Sequence, residues 1–424
     1  VSIIDSRETA EAKYVKAFSN ENIGKKQSGI LEDDLLLFYI LWPIIITPKE
    51  VQFVFLFLVT VLLLKRHKLY FDTLSFFLFS YILLYAFSIF LNLLIRSSEF
   101  VRVLAAFNSL GTWVLAVLLY LIYKNLDIDM KRLYKISFIN YSILIIVWII
   151  TMVIHTITSI SELNIMTRRL YYTEYFDQQV VIRFMGLMDY SNLIIMFGIF
   201  FYPLYFIYIR NFKHRTIQVV LLIIGIFPLI SSYSRSGYII IGTAIIIGIV
   251  YFVHYTMNRN VFFSLFLLIS SILIAVFFFT DIYHLMSLQI EKLMAAREGS
   301  NKSRGLIVEE SMNIAFRESP FIGMGIKEIS SNGYPLGSHS TFLGFFYKTG
   351  IVGLLLGISL FILINSKILF LKSSFNRKII SIFILLMSVS FIVEDIDGAN
   401  WLLCLYFIFV ALLVNENSWI TRKH

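Results

Sequence analysis

One cysteine, Cys404, stands in a chain of 424 residues, and it lies inside an apolar run. Without a partner thiol there is no disulfide and no thiolate metal cluster, and dithiol redox chemistry is excluded with them. Charge is scarce too. Asp, Glu, Lys and Arg make up 15% of the chain against 58% hydrophobic residues, too little to solvate the surface of a soluble protein of this length. Gly and Ala are outweighed by Ile, Leu and 41 Phe, so the apolar runs are bulky rather than shaped for close small-residue contacts.

What is present is a succession of apolar runs. A spanning helix needs about 20 apolar residues, with roughly 17 to 25 tolerated. Twelve candidate spans are expected, at 35–46, 51–64, 71–95, 103–123, 136–157, 184–209, 216–231, 237–255, 261–280, 340–364, 379–393 and 401–414. The first two are short and separated only by "TPKE", so they form a tight hairpin or one broken element. The fold class is therefore an all-α polytopic membrane protein. It has a cytoplasmic N-terminal segment (1–34), a transmembrane domain (35–414) with a long external loop (281–338), and a cytoplasmic tail (415–424). The N-terminal segment lacks the basic start and apolar core of a secretory signal.

The net charge of +9 is a matter of topology rather than of nucleic-acid binding, because Lys and Arg collect in cytoplasmic loops. With the N-terminus inside, 22 of the 36 Lys and Arg residues fall on the cytoplasmic side and 13 on the external side, and Lys348 falls within a span. The external positives gather at 160–183, at Arg235 and in the loop 281–338. A loop of that length is more than a connection. Ile307 and Ile314, one heptad apart with Glu309 and Glu310 between them, predict short amphipathic helices on the outer surface.

Four external clusters carry chemistry-bearing residues. In "RFMGLMDYSN" (183–192), Arg183, Gly186, Asp189 and Asn192 recur every third residue, which predicts one slowly turning face of a helix entering the membrane. The plainer alternative is an interfacial arginine with polar followers packed between helices. In "SSYSRSGY" (231–238), Ser234 and Ser236 flank Arg235, and a guanidinium among hydroxyls suits bidentate phosphate binding. An ordinary external hairpin is the alternative. "NKSRGL" supplies Arg304, and "ESPFIGMG" supplies Glu318, Gly323 and Gly325, glycines that let a ligand approach the backbone, or simply turn residues of a solvated loop. Last, "SHSTFLGFFYKTGIVGLLL" sets His339 and Ser340 at the lip of a span, where the alternative is a hydrogen-bonded structural histidine. Glu394, Asp395 and Asp397 in "VEDIDGAN" make a further external patch, suited to orienting an arginine or contacting ligand hydroxyls but read in the first place as an acidic hairpin.

Of the histidines placed externally, His155, His284 and His339, none has ligand spacing, so no metal site is expected. No Walker loop or dinucleotide fingerprint occurs, and no cofactor is expected. Energy for any reaction must arrive with the substrate.

In this order and at these depths, "RFMGLMDYSN", "SRSG", the loop "SR" with "SPFIGMG", and "SHSTFLGFFYKTGIVGLLL" resemble the O-antigen polymerase and O-antigen ligase family of bacterial envelope enzymes. The match is most specific from Arg183 to Gly357. One departure is that the family's loop exit often reads His-Asn where this chain has His339-Ser340. The resemblance implies a metal-independent membrane glycosyltransferase of the bacterial cytoplasmic membrane, working on its external face for O-antigen, lipopolysaccharide or capsular-type polysaccharide. It implies an undecaprenyl-pyrophosphate-linked glycan as donor, membrane lipid as surroundings, a chain-length regulator as a further partner, and no nucleic acid. On this reading His339, Arg235 and Arg304 are catalytic. Arg183, Asp189, Asn192, Ser234, Ser236, Glu318, Gly323, Gly325 and Ser340 bind substrate. The expected activity is polymerisation of lipid-linked repeat units. A ligase acting on another acceptor, or a flippase of the same lipid, is the alternative.

Overall fold

The computed structural model describes residues 33–65, 69–165, 167–176, 179–234, 237, 238, 242, 271, 298–371, 374–415 and 419. The expected spans 237–255 and 261–280, the start of the loop 281–338, and the site residues Arg235 and Ser236 lie outside the described residues, as do nearly all of 1–34 and most of the tail.

The helices, in chain order, are α1 (Leu36–Tyr39), α2 (Leu41–Ile46), α3 (Lys49–Leu64), α4 (Thr73–Ile95), α5 (Phe100–Asn125), α6 (Met130–Thr158), α7 (Asn192–Ile209), α8 (Arg215–Ile230), α9 (Glu298–Glu318), α10 (Thr341–Leu369), α11 (Phe375–Ser390) and α12 (Asn400–Val414). Five of them, α4, α5, α6, α7 and α10, are long and apolar enough to cross a membrane, while α8 and α12 are shorter apolar helices. That is fewer than the twelve spans expected over the whole chain.

Helix α4 shows why these segments belong in lipid. Asp72 caps it, accepting from Ser75 N at 2.9 Å while Ser75 Oγ accepts from Asp72 N at 2.7 Å, a reciprocal capping box. One face buries Leu78, Tyr81, Tyr85, Ser88 and Asn92. The other exposes Phe76, Leu83, Phe87, Phe90 and Leu94, the last at 86%. An aqueous surface does not carry an apolar stripe of this size. Helix α12 is the reverse case. It is apolar all round and buried all round, with Trp401 to Leu413 at 2% exposure or less, and packs most extensively on α5.

The first expected span is a broken, packed element. Leu41–Ile46 follows Leu36–Tyr39 after a kink at Ile40, and both are tied to α6: Asn140 Nδ2 donates to Phe38 O at 2.8 Å and Trp42 Nε1 donates to Asn140 O at 3.1 Å.

The all-α expectation is corrected by a three-stranded antiparallel sheet, β1 (Glu162–Ile165), β2 (Arg168–Phe176) and β3 (Gln179–Phe184), in the order β1-β2-β3. Aromatic and β-branched residues in "LYYTEYF" and "VVIRF" favour the pleated form over a helix. The expected span 184–209 therefore starts only at Asn192. Arg183 is on a strand, paired in register with Tyr172, and Gly186 and Asp189 are in the turn that follows, so the three-residue recurrence does not mark a helix face.

In the described part of the loop, α9 is one helix of 21 residues. The "SPFIGMG" run after it docks into a break in α10 at Gly350 (φ 64°, ψ −164°). There the carbonyls of Tyr347 and Lys348 accept from Met324 N (2.7 Å) and Gly325 N (2.9 Å), and Ile351 N donates to Pro320 O (2.8 Å). Ser88 Oγ of α4 also donates to Lys348 O at 2.7 Å. Backbone groups that a helix break would orphan are thus satisfied by the loop.

Candidate functional site

The first residues of α3, α5, α7 and α12, together with the segment leading into α10, converge on one cavity of about 630 Å³. Helix N-termini present unsatisfied N–H groups and a positive dipole end, so this convergence favours an anionic occupant even before side chains are counted.

His339 lines the cavity. Its backbone is in the left-handed region, φ 67°, which costs a non-glycine residue energy and persists only where neighbours over-determine it. They do so here. Gly337 N donates to Ser311 Oγ at 2.8 Å, and Thr341 N donates to the carbonyls of Phe391 (3.0 Å) and Glu394 (3.1 Å). Ser340 caps α10, its Oγ accepting from Leu343 N at 3.4 Å. The ring meets Tyr334 edge-on at 6.3 Å, and among the described residues neither ring nitrogen has a hydrogen-bond partner. The bond to a loop carbonyl that a structural histidine would make is not seen. Burial lowers the His339 pKa below the usual histidine value; Arg304 and Lys327 lower it further, against an opposing pull from Asp395.

Arg304, from α9, also lines the cavity and makes no ion pair or hydrogen bond among the described residues. Arg183 reaches the cavity from β3. Its Nε donates to Ser191 Oγ (3.0 Å) and Ser232 O (3.2 Å), and Nη1 to Tyr172 OH (2.8 Å) and Glu174 (3.3 Å). Asn192, the first residue of α7, is buried and donates to Glu394 Oε1 at 2.6 Å. Four sequence candidates, His339, Arg304, Arg183 and Asn192, thus come together.

Others stand apart from the cavity lining. Asp189 is ion-paired to Arg168, whose guanidinium also holds the carbonyls of Ile46 and Thr47, so this pair fastens the sheet to the α2–α3 junction. Glu318 pairs with Arg96 at 2.8 Å. Ser234 is buried, and its Oγ accepts from Gly237 N at 3.1 Å. Gly323 and Gly325 do allow close approach, but to protein: a Cβ on Gly325 would stand 2.7 Å from Ile89 N.

The acidic segment 394–397 is more than a surface hairpin. Asp395 Oδ2 accepts from Lys327 Nζ at 2.6 Å, and Asp397 pairs with Lys348 inside the bundle. Burial of Asp397 opposes its ionisation, yet Lys348 and Lys327 outweigh that and hold its pKa below the usual carboxylate value. Glu394, Asp395 and Asp397 all line the cavity, and so do Lys49, Arg102 and Lys327, three cations that no sequence motif singled out. Their partners are far away in sequence.

Residues 219–358 match the family model described as Wzy_C, O-antigen ligase. This stretch includes Arg304, His339, the glycine loop and the break in α10. No curated protein and no solved structure matches the chain.

Proposed function

We propose, from the match of residues 219–358 to the O-antigen ligase family model, that this membrane protein transfers a glycan from a lipid pyrophosphate to a sugar hydroxyl on the external side of a bacterial cytoplasmic membrane. The acceptor is another lipid-linked repeat unit, so the product is a polymer. The observation that carries the reading is the placing of a strained histidine with unengaged ring nitrogens in the same cavity as an unpaired arginine.

In the step proposed, the acceptor oxygen bonds to the anomeric carbon as its proton passes to His339. The bond from that carbon to the pyrophosphate oxygen breaks, and the electron pair leaves with the lipid pyrophosphate. A neutral imidazole is the form that accepts the proton, and a lowered pKa keeps it neutral at external pH. Arg304 meets the charge that develops on the leaving group, and Arg183, braced by four partners, supports it from the sheet. Arg235 is assigned to the same anionic group by its motif alone.

Purified protein given only lipid-linked repeat units should make ladders of product. A chain that forms no product until a different acceptor is added is a ligase, and one that moves lipid-linked glycan between leaflets without forming a glycosidic bond defeats the enzyme reading.

A further inference from the structure

Charge at the cavity wall is unevenly matched. Lys327 is paired with Asp395 and Arg183 contacts Glu174. Three cations on the wall have no carboxylate in contact among the described residues: Arg102, whose Nε is taken up by donating to Lys327 O at 2.6 Å, Arg304, already assigned, and Lys49, part of the connecting "TPKE". Lys49 is half-buried, and among the described residues its ammonium makes no hydrogen bond or ion pair.

Its place is unfavourable for a cation in two ways. It is the first residue of α3, where the helix dipole disfavours positive charge. It is also held there firmly, because its carbonyl accepts from Asn400 Nδ2 at 2.8 Å and Arg168 grips the chain two and three residues earlier at Thr47 and Ile46. A flexible surface lysine would turn to water; this one stands at the edge of a cavity into which other helix N-termini also point. Asp395 and Asp397 lie within electrostatic reach of Lys49 but neither touches it, so a cation in that setting is stabilised further when an anion makes direct contact.

Lys49 and His339 share the same electrostatic neighbours, Asp395 and Lys327, and His339 in turn has Arg304 beside it. Lys49 thus stands near the Lys327–Asp395 pair, and Arg304 stands near His339, which is influenced by that same pair. We propose that Lys49 is a second cationic contact for the diphosphate of the donor, sharing its charge with Arg304. This rests on the reading of the donor as a lipid pyrophosphate. Two separated cations fit a ligand with two charged groups better than one with a single phosphate or carboxylate.

The test uses the full chain in detergent or nanodiscs, with farnesyl pyrophosphate, farnesyl monophosphate and glucuronate as probes. Parent protein should bind the pyrophosphate most tightly. Lys49→Met and Lys49→Gln should each weaken it about tenfold or more, with a smaller effect on the monophosphate, while Lys49→Arg stays within about threefold of the parent. With no probe present, Lys49→Met should unfold at the same temperature as the parent or higher, since it removes an unmatched charge. Pyrophosphate binding by both neutral variants as tight as by the parent overturns the proposal, as does loss of glucuronate binding alone, which would assign Lys49 to an acidic sugar. A drop in melting temperature for both neutral variants would make Lys49 structural. If the parent binds none of the probes, the donor reading falls first and the role of Lys49 with it.

Discussion

Lys348 and Asp397 form an ion pair enclosed by protein: the ammonium, on α10 just before its break, donates to a carboxylate that also accepts from Trp113 Nε1 at 2.9 Å and Ser109 Oγ at 3.2 Å. Lys348 is 1% exposed and lies over the Tyr85 ring at 4.8 Å. Its backbone carbonyl is held by the glycine loop and by α4, so one residue ties three elements to the cavity wall. Lys348→Met strands a buried carboxylate and should cost about 3–5 kcal/mol, while Lys348→Met with Asp397→Asn should recover most of it. Thermal unfolding of the purified variants checks this; equal melting of parent and single variant would show that the pair holds nothing.

Gly350 is the hinge on which the loop docks. Its φ of 64° lies where side chains are disfavoured, and a Cβ there would collide with the backbone of Phe321 and Ile322. With ψ at −164° the position lies in a positive-φ extended region essentially reserved for glycine, so Gly350→Ala should lose about 1–3 kcal/mol, with further loss from the collision. Gly305→Ala, in α9 with open space around its Cβ, should be neutral or stabilising by roughly 0.5–1 kcal/mol. Limited proteolysis of the loop separates the two outcomes.

The pH dependence follows from the lowered pKa of His339. A base is active when neutral, so the rate should fall only as pH drops below that pKa, and the acid limb should lie below the ordinary histidine value of ~6.5. Removing a positive neighbour relieves the depression, so Lys327→Met should move the limb upward. His339→Gln should lose roughly 10²- to 10⁴-fold in rate with donor binding retained. Turnover near the parental rate in a folded His339→Gln variant would leave the histidine with a structural role.

Arg304→Lys keeps a charge and gives up the planar two-point fork. If the guanidinium grips a phosphate oxygen pair, turnover should fall about tenfold or more, whereas an arginine that only steers the anion would survive the change. Steady-state rates at saturating donor decide between them.

Topology is open to labelling in a Cys404→Ser background. Ser331, exposed in the loop after α9, and Asn211, exposed between α7 and α8, belong to opposite sides on the proposed orientation. A cysteine at Ser331 should react with an impermeant maleimide on intact cells and one at Asn211 only after permeabilisation. The reverse pattern would invert the protein in its membrane.

The sequence announced α4, α6 and α10 well, because continuous apolar runs bounded by Asp72, Asp129 and Ser340 carry both the length and the cap of a helix. It misjudged 162–184, where strand-forming residues run straight into the apolar start of α7 and the boundary is erased. His339 and Arg304, picked out by their motifs, line one cavity in the fold. Asp395 and Asp397 stood out as an acidic patch, but not their partners Lys327 and Lys348, which reach them only across the folded bundle. Gly323 and Gly325 were noticed for the right physical property and given the wrong neighbour: the surface they let close is a broken helix.

Helix α12 carries a consequence for biogenesis. It is enclosed on every side and pressed against α5, yet the ribosome makes it long after α5 has left the exit tunnel. During that interval α5 lacks the packing that α12 supplies, the contact of Trp113 with Phe407 included. The wall of the cavity that α12 completes through Asn400 and Leu403 does not exist until then. On the proposed function, the site is therefore incomplete during synthesis and can take up a ligand only after α12 has packed against α5.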